Sequence, residues 1–225
     1  MSIILKIISV IIAAFSGYLL GSISFSIIIS KLYANKDVRE YGSGNAGLTN
    51  MLRVFGPFPA ALTLIGDFSK GIMAVLLGRV IIQQIGGFDD TIIGAYIGGI
   101  SVILGHIFPL YFQFKGGKGI LTTAGVILLI DWRVFLILIA VFAVIVAITK
   151  YVSLGSIIAA SGMPVVTAIF TAIDSGSYPL VISNTAFALV IAITVTYMHR
   201  QNIKRLLSGT ESKIGSKKKE SVNNG

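Results

Sequence analysis

The chain has 225 residues, of which 55% are hydrophobic and only 12% charged, with a net charge of +9 and a mean hydropathy of +0.90. A soluble domain carries about 25% charged residues, so these values exclude one and indicate a polytopic helical membrane protein. The sequence has no cysteine, which excludes disulfides, thiolate metal sites and a cysteine nucleophile or acyl-cysteine intermediate.

Apolar length, at ~20 residues per crossing, predicts seven spans. They fall at 3–30, 57–85, 91–111, 117–130, 133–149, 155–173 and 179–198. The first is too long for a signal-peptide core and is read as a retained span. The second is long and interrupted by "GDFSKG"; the fourth is short and borrows length from the "KGGKG" turn.

Lys and Arg decide the orientation. Loop 31–56, loop 112–119, Lys150 and the tail after 198 together hold 14 of the 18 basic residues on one face. Asp89, Asp90, Asp131 and Asp174 fall in the opposite turns, with Arg133 the only basic residue among them. The positive-inside rule then places the N-terminus outside and the C-terminus in the cytoplasm. The fold class expected is all-α, a seven-span integral membrane protein. It has one transmembrane catalytic domain over 1–211 and a basic, disordered tail over 212–225 that sits against anionic headgroups. No aromatic-basic module appears, so the positive charge is assigned to the membrane and not to nucleic acid.

Loop 31–56 contains "REYGSGNAGLTNMLRVFG" (39–56), with glycines at 42, 44 and 47. Such glycines permit positive φ, so successive N–H groups can converge on a phosphate as a nest. A helix beginning near Thr49 and Asn50 would add its N-terminal dipole, and Arg53, one turn on, a bidentate fork. The spacing is not that of a nucleotide-binding P-loop, because Leu48-Thr49 stand where Lys and Ser or Thr would be needed. The plainer reading is a glycine-rich turn at the headgroups, flanked by arginines that suit them.

Other polar stretches emerge on the same face. Lys115 and Lys118 flank two glycines before the fourth span; snorkelling explains Lys115, whereas Lys118 between glycines suits phosphate. Asp67 and Lys70 share one helix face inside a span, as a neutralising pair supporting a broken helix and standing behind the site. His106 reads as a structural histidine. His199 begins the tail with Asn202 three residues on, a pair suited to orienting or deprotonating a hydroxyl. Two histidines without cysteine or clustered carboxylates make no usual zinc or di-iron site, and neither metal nor cofactor is expected. Paired glycosidase carboxylates, a G-x-S-x-G elbow and a His followed five positions later by Asp are all missing from the sequence.

Read in order, "GSISF" (21–25), "REYGSGNAGLTNMLRVFG" (39–56), "GDFSKG" (66–71), "GHIFPLYFQFKGGKG" (105–119), "YVSLGS" (151–156) and "HRQNIKRLLSGTESK" (199–213) resemble the PlsY family. Its members are acyl-phosphate-dependent glycerol-3-phosphate acyltransferases of bacterial membranes. The resemblance implies a multi-pass protein of the bacterial plasma membrane whose active site faces the cytoplasm. It would move a fatty acyl group from acyl phosphate to the 1-hydroxyl of glycerol 3-phosphate, giving lysophosphatidate and phosphate. It also implies that Gly42, Ser43, Gly44, Asn45, Thr49 and Asn50 hold the donor's phosphate. Arg53, Lys118, Ser156, His199 and Asn202 would contact glycerol 3-phosphate, with Ser43, Lys118, His199 and Asn202 closest to the chemistry. Ser24 and Leu48 depart from the family pattern, where Pro and Ala are frequent. The competing expectations are a transporter of a phosphorylated solute, motivated by the same anion site with Asp67 and Lys70 in a span, and a lipid-binding scaffold working through its tail.

Overall fold

The computed structural model describes residues 2–215 and is all-helical over them. Its helices are α1 (Ile3–Gly21), α2 (Phe25–Ala34), α3 (Leu48–Phe55), α4 (Pro57–Gln84), α5 (Ile92–Ile107), α6 (Ile120–Ile130), α7 (Trp132–Thr149), α8 (Val152–Ser175), α9 (Tyr178–Met198) and α10 (Arg200–Leu207). Six stretches are long and apolar enough to cross a membrane, with α1 and α2 together making one of them. The outward faces of α7 and α8 stay apolar, as in Leu136, Val144, Val165 and Ile169, because their solvent is hydrocarbon.

The predicted fourth crossing is the exception. Only 11 residues of it are helical, about 16 Å of helix against a hydrocarbon core of about 30 Å. Gly119, at φ +87°, stops the helix from extending backwards. Asp131 then ends α6 and caps α7 by accepting from the Arg133 N–H at 2.9 Å. Since α7 has 18 residues, α6 starts about 10 Å short of α7's other end. That shortfall makes room for a cavity.

A second departure concerns the broken helix. α4 runs unbroken through "GDFSKG", and the break lies instead between α1 and α2 at Ser22–Ser24. No proline is needed there. Lys70 of α4 reaches across and donates to the Gly21 and Ile23 carbonyls at 3.0 and 2.7 Å, while Asp67 neutralises it at 2.8 Å. Both ions are only 1% exposed, so the carbonyls and the carboxylate together offset the cost of burying the ammonium. The pair does support a break, but in the neighbouring span.

Close backbone packing holds α4 to α5. A Cβ on Gly78 would lie 2.1 Å from the Gly94 carbonyl oxygen, so only glycine fits. Val75, Val102, Ile103, Val126, Val134, Ala188 and Ile191 belong to one continuous core beneath the bundle surface. A smaller cluster of Ile27, Val38, Ala46, Met51 and Ala60 seats the loop before α3 against α2 and α4. At the far end of the bundle Arg133 bonds both Asp131 and Asp174, so the α6–α7 and α8–α9 turns share a side. Residues 216–225, which hold most of the predicted tail, lie outside the described residues; of 212–215, Ile214 donates its N–H to the Lys150 carbonyl at 2.8 Å.

Candidate active site

At the end opposite Arg133 the bundle encloses a cavity of about 370 Å³. Ser43, Asn45, Thr49, Asn50, Arg53, Lys118, Ser156, His199 and Asn202 all line it, so stretches more than 150 positions apart converge on one space. Gly42 and Gly44 stay off the wall and shape the loop behind it, at φ +62° and +71°. Alanine at 42 would be strained by its φ and would also place a Cβ 2.3 Å from Asn50 Oδ1.

The loop differs from an open nest. Asn50 Oδ1 accepts from the Ser43 N–H at 2.9 Å, and Gly44 N–H goes to the Tyr41 carbonyl at 3.0 Å. Asn50 also donates to the Val38 and Tyr41 carbonyls at 3.1 and 3.0 Å and is buried. Its amide folds the loop, and Asn50 lines the cavity as well. What faces the cavity is the Ser43 hydroxyl, Asn45, Thr49 and Arg53, together with the first turn of α3. That helix begins at Leu48, one residue before the predicted start. Leu48 and Thr49 N–H groups have no partner within the helix by its geometry, and its dipole favours an anion there.

The second group comes from the far parts of the chain. Lys118 precedes α6 and donates to Asn202 Oδ1 in α10. Burial, with Arg205 and Arg53 nearby, lowers its pKa to about 8 against the opposing pull of Glu211. His199 sits at the junction of α9 and α10, not within one continuous helix. Its Nδ1 lies 2.8 Å from the Val195 carbonyl oxygen. A carbonyl only accepts, so Nδ1 carries the proton and Nε2 keeps a lone pair. Burial lowers His199 to about 4, so the ring is neutral at neutral pH. Ser156 donates to the Val152 carbonyl at 2.9 Å and presents its oxygen to the cavity as an acceptor.

Glu211 was not singled out from the sequence, and it ties this half together. Oε1 accepts from Ser153 Oγ and Asn202 Nδ2, both at 2.7 Å, and Oε2 accepts from Arg205 Nε at 2.6 Å. Burial opposes the charge, but bonds from Ser153, Arg205 and Asn202 outweigh it and hold the carboxyl below its ordinary pKa. The available signal was that Glu211 is the only acidic residue between 199 and 219. Ser153 and Arg205 also line the cavity unpredicted.

Asp67 and His106 reach the cavity from α4 and α5, with His106 Nδ1 3.5 Å from Asp67 Oδ1. His106 also fixes the loop before Lys118, since a Cβ on Gly117 would lie 2.3 Å from its Nε2. The deeper wall is apolar, made by α6, α7 and α8 through Ala124, Ile127, Leu138, Phe142, Ala160 and Met163. Among the described residues no group of three or more His, Asp or Glu is placed to hold a metal ion.

A membrane-embedded cavity with cationic and hydroxyl groups at its mouth and an apolar interior suits an anion attached to a hydrocarbon chain. The class this defines is a multi-pass membrane protein acting on a phosphorylated lipid or lipid precursor. A family model described as glycerol-3-phosphate acyltransferase matches residues 11–209. The glycerol-3-phosphate acyltransferase of Clostridioides difficile (strain 630) is 44% identical over 217 residues, 95% of this chain and 100% of that protein. Its counterpart from Thermoanaerobacter sp. (strain X514) is 41% identical over 207 residues, covering 92% and 96%. The crystal structure of PlsY (YgiH), an integral membrane glycerol 3-phosphate acyltransferase in its glycerol 3-phosphate form, superposes with a TM-score of 0.77 at 35% identity, covering 92% and 96%. The chain belongs to the glycerol-3-phosphate acyltransferase family. Membership sets the transport reading aside in favour of acyl transfer.

Proposed function

We propose that this chain transfers a fatty acyl group from acyl phosphate to the 1-hydroxyl of glycerol 3-phosphate, releasing lysophosphatidate and inorganic phosphate. The observation that carries this reading is one cavity with two sets of anion-suited groups at its mouth and an apolar interior between α6, α7 and α8. Ser43, Asn45, Thr49 and the start of α3 receive the donor's phosphate. Arg53, Lys118, Ser156 and Asn202 receive glycerol 3-phosphate, with Lys118 between the two anions.

An acyl phosphate is a mixed anhydride with a good leaving group, so direct transfer needs no covalent enzyme intermediate. The work left to the protein is to hold two anions together and orient them. The glycerol oxygen forms its bond to the acyl carbon, the bond from that carbon to the phosphate oxygen breaks, and the hydroxyl proton leaves. His199 Nε2 accepts the hydroxyl's hydrogen bond and aims its oxygen. The departing phosphate is itself a base, and the proton ends there.

The loops that carry the site also carry most of the basic residues, which supports a cytoplasmic active site in the bacterial plasma membrane. Counting the short α6 as one passage gives seven, with the N-terminus outside and the C-terminus inside. Purified protein given acyl phosphate and glycerol 3-phosphate should release phosphate and form lysophosphatidate. Turnover with acyl-CoA or acyl carrier protein alone would overturn the donor assignment.

A further inference from the structure

Two cavities lie end to end between the same helices. Beyond the catalytic cavity a second one, of about 400 Å³, lies towards the far end of the bundle. Its polar groups are already bonded to one another, Arg133 to Asp131 and Asp174, and Tyr96 to Asn184. Ile92, Ile130, Val134 and Phe187 line it as well. Ile127 of α6 and Met163 of α8 line both cavities, and each is buried within the same core.

We propose that Ile127 and Met163 form the wall that ends the acyl-chain site and so set the longest acyl group this chain accepts. The inference rests on the acyl-donor reading above. A chain whose carboxyl end reacts beside Lys118 runs inward past Ala124, Leu138 and Ala160 until it meets this pair. Protein interiors are close-packed, so methylenes beyond the wall must displace atoms instead of filling space. The two residues resist differently. Ile127 is β-branched and stiff, whereas Met163 is unbranched and yields, which makes the limit graded. Trimming either side chain joins the two cavities and opens an apolar path for a longer tail. The competing route is sideways, past Leu64 and Ile139, which line the catalytic cavity and are themselves exposed on the bundle surface. A tail leaving there would not be measured by the wall.

The test is a ladder of saturated acyl phosphates from octanoyl to octadecanoyl, with phosphate release giving kcat/KM for each. Relative to the parent protein, Met163→Ala and Ile127→Ala should raise the hexadecanoyl-to-decanoyl ratio about tenfold, the scale on which apolar pockets discriminate by methylenes. Ile127→Val, which removes a single methyl, serves where the larger truncations fail to fold, and should move the ratio in the same direction. Ala160→Leu, on the near side of the wall, should shift preference to shorter chains. An unchanged length profile in folded, active variants overturns the wall and favours the sideways exit. If the parent protein releases no phosphate from any acyl phosphate, the donor reading itself is lost.

Discussion

Lys118 and Asn202, 84 positions apart in sequence, meet through a hydrogen bond from the ammonium to the amide oxygen. The other end of the same amide donates to Glu211, which also grips Arg205 and Ser153. Asn202 thus has its two ends fixed by partners of opposite charge, oxygen towards the cation and NH₂ towards the carboxylate. It carries the position of α10 directly to the ammonium that lines the cavity.

Replacing Lys118 by Ala removes a charged donor from between two anions and should lower kcat/KM about 100-fold or more, as for loss of one transition-state donor. Asn202→Ala should cost a similar factor by leaving Lys118 unpositioned. Asn202→Asp should be at least as harmful, since it sets a second carboxylate against Glu211. Phosphate release across both substrates measures this. Near-normal turnover in Asn202→Ala would show that the bond to Lys118 is incidental.

The pH profile follows from two groups that lie beyond the membrane-spanning helices. Lys118, lowered to about 8, is charged at neutral pH and loses that charge as pH rises past 8. A bound anion restores it, so the loss belongs to the free enzyme: kcat/KM should fall above pH 8 while kcat holds to higher pH. His199, lowered to about 4, stays neutral from pH 5 upward and should give no inflection there. An inflection near pH 6 shared by the parent and His199→Gln belongs to the substrate phosphate. One that disappears in His199→Gln would give His199 the general-base role instead.

The buried pair in α4 governs stability. Lys70→Ala removes the donors to Gly21 and Ile23 and leaves Asp67 beside His106 without its cation. Breaking a buried pair in this way costs about 3–5 kcal/mol. Thermal unfolding in detergent should show a clearly lowered midpoint. Lys70→Ala paired with Asp67→Asn should recover part of it, because no lone buried charge is then left. Recovery of nothing would mean that the carbonyl contacts, rather than the charge, carry the effect.

The convergence of the polar stretches was legible because glycines, amides and cations are conspicuous in a chain this apolar. The bounds of α7 and α9 were legible too, since Asp131 and Lys150 flank the one, while Pro179 lies in the first turn of the other and His199 ends it. The fourth span read as short and borrowing length from the "KGGKG" turn, and hydropathy alone could not mark Gly119 as the point where the helix stops. The break was misplaced because two glycines flank Asp67 and Lys70; in the fold those glycines let α2 and α6 approach an unbroken α4, where a Cβ would strike Phe25 or the Thr122 carbonyl. That the Asn50 amide also folds the loop was not legible, because an amide's partners cannot be read from a linear motif. Glu211 was overlooked as an acid within a basic tail, and its three partners come from two helices, α8 and α10.

Glu211 ties the start of the tail to the site, and Ser212 after it still lines the cavity. Deleting 212–225 forfeits Ser212 at the cavity wall, the Lys213 ammonium over the Tyr151 ring and the bond from Ile214 to the Lys150 carbonyl, the last about 1 kcal/mol, and should still leave turnover within about threefold of the parent. Glu211→Ala in the full-length chain removes the acceptor of Ser153, Asn202 and Arg205 at once and should lower kcat/KM about 100-fold through misplacement of Lys118. Comparing the two proteins by phosphate release, with circular dichroism to confirm the helical fold, separates tail from site. A truncated protein as inactive as Glu211→Ala would place the tail itself in the catalytic unit.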